Sequence, residues 1–170
     1  MMTNQTRPRL SMAPAAAFAL VLWSAGCGNE PAGTGRPSTP PPLPQTGFKA
    51  EIRVEQAPSK LKVNESVVLD VTVRNFGNAV WPHQGGPAAA HGVLLSYHWL
   101  SADGSRVLID GIRTNLPSDL APGTQVALRS TIKAPDKPGA YILEFDMVQE
   151  AVAWFKERGS KAVRLSVAVE

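Results

Sequence analysis

In this 170-residue chain, the groups whose type and spacing suit chemistry are few. They are His83, His91 and His98, the carboxylates Asp146, Glu150 and Glu157, and the aromatics Trp81, Trp154 and Phe155. Imidazoles ligate zinc or copper, and His83 and His91 share the loop "WPHQGGPAAAHG" (81–92). Their spacing matches no compact ligand set, and no cysteine pair or H-x-x-x-H lies nearby, so no metal and no cofactor is expected. There is no G-x-S-x-G elbow and no phosphate-cradling glycine loop. The three carboxylates are expected to cover a wet face instead of forming an acid–base pair. Catalysis is therefore not expected, and binding has the better case. Trp81 beside two histidines, and Trp154-Phe155 beside Lys156, Glu157 and Arg158, suit sugar stacking or a protein hot spot. The candidate binding residues are Trp81, His83, His91 and Trp154. Phe155 reads as a cap on an open end of a core, and Trp154 is open between cap and contact.

The elements that would position these groups read as strands. "SVVLDVTVRN" (66–75), "VLLSYHWL" (93–100), "AYILEFDMV" (140–148) and "AVRLSVAVE" (162–170) each alternate apolar and polar residues. Period two means one face buried and one wet. Weaker strands surround Ile52/Val54, Val107/Ile109 and Val126/Leu128/Ile132. Asp103-Gly104 suits a tight hairpin turn, and "PSDLAPG" and "PDKPG" break the chain where loops belong. About seven strands over residues 47–170 predict an all-β, immunoglobulin-like sandwich without a disulfide. Asn75 and Gly77 are expected to shape a turn, with the glycine at positive φ. Trp99 is expected to be the buried core tryptophan, and Tyr141, just after Pro138-Gly139, a corner tyrosine bonded to backbone.

Residues 1–26 have the order of an export signal: Arg7 and Arg9, then the apolar "AAAFALVLW", then Ser24, Ala25 and Gly26. The apolar run is about half the ~20 residues that span a bilayer. Residues 27–46, with six prolines, cannot bury enough surface to fold and read as a disordered tether. The sequence pI near 9.2 does not signal nucleic acid. Of 17 Lys and Arg, two lie in the leader, leaving 15 against 14 acids, and they form no stripe. Nucleic acid is not an expected partner.

Small residues directly before Cys27, the one cysteine, resemble the lipobox of bacterial lipoproteins, with Ser24 where an aliphatic residue is usual. That resemblance implies diacylglycerol on the Cys27 thiol, cleavage before it and a membrane anchor. Gly28 in place of the family's inner-membrane aspartate leans towards the outer membrane. "VTVRNFGNAVWP", with Asn75, Gly77 and Trp81, resembles the four-tryptophan immunoglobulin-like domain of selective-autophagy receptors. "YHWLSADG", "RTNLPSDLAPG" and "LEFDMVQEAVAWF" are similar to immunoglobulin-like domains of bacterial envelope and polysaccharide-related proteins. Val71 and Phe145 stand where the autophagy domain has tryptophans, so the implied inheritance is the fold. The expectation is an envelope lipoprotein whose domain is a non-catalytic binding or adaptor module for a protein or polysaccharide. The alternatives are a structural assembly subunit and, less favoured, a histidine-based metal-binding protein.

Overall fold

The computed structural model describes residues 39–83 and 90–170. Cys27, the leader and most of the tether lie outside them. The strands are β1 (Ala50–Val54), β2 (Lys60–Leu61), β3 (Ser66–Asn75), β4 (Val93–Leu100), β5 (Val107–Asp110), β6 (Thr114–Asn115), β7 (Gln125–Lys133), β8 (Gly139–Gln149), β9 (Ala153–Trp154) and β10 (Val163–Val169). One sheet has the order β1-β3-β7 and the other β2-β10-β8-β4-β5, with β6 on β4 and β9 on β8. The chain changes sheets between β1, antiparallel to β3, and β2, parallel to β10. The result is the expected immunoglobulin-like sandwich, and a single cysteine allows no internal disulfide.

Alternation produces the core where one face is dry. β3 buries Leu69, Val71 and Val73, and β7 buries Leu128 and Ile132, while Asp70 and Arg129 face water. Opposite them lie Tyr97, Trp99, Leu143, Phe145 and Val167. Two hydrogen bonds cross the interior: Trp99 Nε1 donates to the Lys133 carbonyl at 2.8 Å, and the Lys133 N–H donates to the Tyr97 hydroxyl at 3.0 Å. Buried polar tips of aromatics are thus satisfied, as stability requires. Trp99 is the core tryptophan, and Tyr141 donates to the Lys137 carbonyl at 2.9 Å as a corner tyrosine.

Asn75 organises the turn after β3. Its amide donates to the carbonyls of Ala79 and Leu120, both at 2.9 Å, and its Oδ1 accepts the Gly77 N–H at 2.8 Å. Gly77 does not have the expected positive φ. Its need for glycine is steric, because a Cβ there would lie 2.5 Å from the Gly47 carbonyl oxygen. Residues before Gly47 also pack on the sandwich. Gln149, fully buried, donates to the Pro41 carbonyl and accepts the Leu43 N–H, and Leu43 packs on the core. The end of the proline-rich segment is docked because its carbonyls find donors there.

Gly77→Ala should destabilise the fold by about 1–3 kcal/mol, the usual cost of forcing a group into a filled site. Urea denaturation measures it, and a change below about 0.5 kcal/mol, the scatter of neutral surface changes, would contradict this packing.

Candidate functional site

The outer faces of β4 and β8 depart from the expected pattern. β4 is buried throughout, and β8 is buried from Leu143 to Gln149. Alternation points Ser96, His98, Glu144 and Asp146 away from the sandwich core, and a wet face is the expectation for Asp146, yet each is at most 4% exposed. Side chains from two returning segments cover them. Trp154 lies on the His98 ring at 4.1 Å between centroids, and the Arg113 guanidinium sits 4.8 Å over Trp154. Arg113 pairs with Asp110 at 2.8 Å and with Glu150 at 3.4 Å. Lys156 Nζ and Arg164 Nε both donate to Glu144, the latter at 2.7 Å.

A buried carboxylate is costly unless paired and hydrogen-bonded. Burial pushes Glu144 up, but the bonds from Lys156 and Arg164 outweigh it and leave it below its ordinary value. Asp146 lacks such partners. It accepts the N–H groups of Met147 at 2.8 Å and Lys156 at 3.0 Å, and burial lifts it to about 7. Burial, reinforced by Lys156, pushes His98 down. Its Nε2 lies 3.4 Å from Asp110, while Nδ1, 3.7 Å from Glu144, has no hydrogen-bond partner among the described residues. This cluster is closed over by Trp154, so it can respond to protons but presents no open substrate site.

The predicted site residues do not converge. Trp81 is fully buried: its Nε1 donates to the Gly47 carbonyl at 2.9 Å, and its ring meets Phe155 edge-on at 5.0 Å. It therefore offers no face to a ligand, because its loop folds back to bridge Leu120. His83 is exposed and bonded to Asp119 at 2.7 Å, and His91 Nδ1 lies 2.7 Å from the Pro40 carbonyl. Trp154 is half-buried between His98 and Arg113, and Phe155 caps the core as expected. Among the described residues no group of three or more His, Cys, Asp or Glu could hold a metal.

Alternation and motif both passed over the β5 edge. Val107, Leu108, Ile109 and Ile112 are all exposed, Ile112 at 52%. Beside them runs a cleft of about 540 Å3 whose lining includes Ile109, Ile112, Lys133, Pro135 and Asp136. Gly111, also in the lining, packs tightly on Tyr97, where a Cβ would lie 2.5 Å from Tyr97 atoms. The signal in the sequence is "VLID" followed by Gly-Ile, four large aliphatics within six residues.

No protein-family model matches the chain, and no curated protein matches it. Among solved structures, a mutant β-glucosidase from Listeria innocua with laminaribiose is 14% identical, with a TM-score of 0.43, over 72% of this chain and 16% of that one. A CARDB domain from Pyrococcus furiosus, solved with di-metal ions, is 17% identical, with a TM-score of 0.40, over 71% of this chain and 90% of that one. The sporulation control protein Spo0M from Bacillus subtilis is 12% identical, with a TM-score of 0.43, over 72% of this chain and 49% of that one. The chain thus spans about a sixth of the glucosidase. Likeness at this level carries neither architecture nor ligand across to this chain.

Two titrations give opposite, separable pH effects. His98, lowered from 6.5, contributes stability that is present above pH 6.5 and lost as pH falls through its folded value. Asp146, raised from 3.8 to about 7, contributes stability that is present below pH 3.8 and lost as pH rises through about 7. Urea titrations from pH 5 to 8 should show wild type losing ground to His98→Gln below pH 6.5, and gaining ground on Asp146→Asn as pH falls from 8 to 5. Differences that stay flat with pH would refute both assignments.

Proposed function

We propose that the protein is an exported lipoprotein, anchored through Cys27, whose sandwich is a non-catalytic binding module. Its contact surface is the β5 edge with its adjoining cleft. The observation that carries the reading is the run of exposed aliphatics from Val107 to Ile112 on an edge strand. Contiguous exposed apolar surface rimmed by polar groups marks interaction sites in folded proteins. The lipobox-like sequence before Cys27 supports the anchor, since several acyl chains hold a protein stably where one does not.

The surface favours a protein partner over a polysaccharide. Sugar stacking needs an open aromatic face, and Trp81, Trp99 and Phe155 are buried. Phe76 is the one exposed aromatic among the described residues, and the Arg74 guanidinium lies 4.6 Å over its ring. Aliphatic side chains beside a cleft suit the apolar side chain of a protein.

Two results are expected in the source cell. Cys27→Ser accumulates as uncut precursor that takes no palmitate label, and a processed soluble variant would contradict the anchor. A photo-crosslinker at Ile112 yields a discrete protein adduct that Val107→Asp removes, and an adduct undiminished by Val107→Asp would contradict the assigned surface.

A further inference from the structure

A second exposed patch lies where the proline-rich segment docks. The Thr46 hydroxyl donates to Asn78 Oδ1 at 2.9 Å, and the Phe76 N–H donates to the Lys49 carbonyl at 2.8 Å. The turn carrying Phe76 and Val80, 52% and 50% exposed, is thus fastened to the segment that leads back towards Cys27. The docked residues Pro40 to Thr46 take that length out of the tether. Eleven residues, 28–38, remain between Cys27 and the described chain, a reach of roughly 40 Å at full extension. From an anchor at Cys27, that length allows this end of the sandwich to reach the lipid.

The chemistry of the patch fits that neighbour. Phe76 and Val80 are apolar, and Arg74, over the Phe76 ring, also donates to the Gly123 carbonyl at 3.2 Å. Lys49 is exposed beside them, and Arg158 lies 5.7 Å over Phe48 at the same end. The local acids are already engaged: Glu51, opposite Arg74, pairs with Arg53, and Asp119 pairs with His83. Apolar side chains flanked by cations suit the boundary between headgroups and acyl chains of an anionic bilayer.

We propose that the turn Arg74–Val80 is a second membrane contact, with Phe76 and Val80 entering the interface and Arg74 and Lys49 meeting lipid phosphates. The proposal rests on the anchor reading for its position in the cell, but its test does not. The chain from Cys27 onwards, which contains every described core residue, is coupled through its only thiol to maleimide lipid in phosphatidylethanolamine–phosphatidylglycerol vesicles. Phe76→Trp serves as reporter, with Asp103→Trp in the β4–β5 turn as control. Brominated lipid should quench the added emission of Phe76→Trp at least about twofold more than that of Asp103→Trp, as an interfacial depth of ~5–10 Å requires. Adding Val80→Asp and Arg74→Glu should abolish the difference. Equal quenching at the two positions would overturn the membrane contact, as would quenching unchanged by those substitutions. Failure of Cys27 to take palmitate in cells would instead overturn the anchor and leave the vesicle result standing.

Discussion

Two carboxylates in the middle of a sheet, Glu144 and Asp146, set the terms for this molecule. Alternation on β8 sends them away from the sandwich core, yet they are 1% exposed. Burial at that level demands compensation, and the chain supplies it from elements distant in sequence. Lys156 and Arg164 neutralise Glu144, backbone N–H groups hold Asp146, and Trp154 with Arg113 closes over His98. The segment from Glu150 to Gly159 therefore does more than join β8 to β10. It helps cover the outer faces of β4 and β8, and it places Phe155 in the core against Phe48 and Trp81.

That covering decides which surfaces remain for contact. The aromatic side chains that suggest ligand stacking are consumed as core or cap. Exposed apolar area is left at the β5 edge and at the turn near the proline-rich segment, which places the two proposed contacts at separate ends of the domain. β5 carries a register shift opposite Trp99/Leu100, an irregularity that blunts edge-to-edge strand pairing. The contact proposed there would fall to side chains and the cleft more than to backbone hydrogen bonds.

Much of the fold was legible because strands announce themselves locally. "SVVLDVTVRN" and "VLLSYHWL" coincide with β3 and β4, and the Tyr141 bond follows from its place after Pro138-Gly139. What failed were the inferences that depended on which sequence-remote residue meets a given side chain. Period two is the same whether a polar face meets water or a charged cap, so His98 and Asp146 read as wet. Trp81 read as a loop contact because its bridge to Leu120 spans 39 positions of sequence. Gly77 read as a φ-determined turn residue because its neighbour, Gly47, is remote in sequence. The proline-rich segment read as tether throughout because Gln149, which binds it, sits at the end of β8.

The central claim is that the domain engages its partner through the β5 edge and not through its aromatic loops. Hydrogen exchange tests it most directly, comparing the purified chain with the chain in intact source-cell envelopes. Contact through the β5 edge requires that amides of residues 107–112 slow in the envelope while those of 150–158 are unchanged. Slowing confined to 81–91 or 150–158, with 107–112 unaffected, would contradict it.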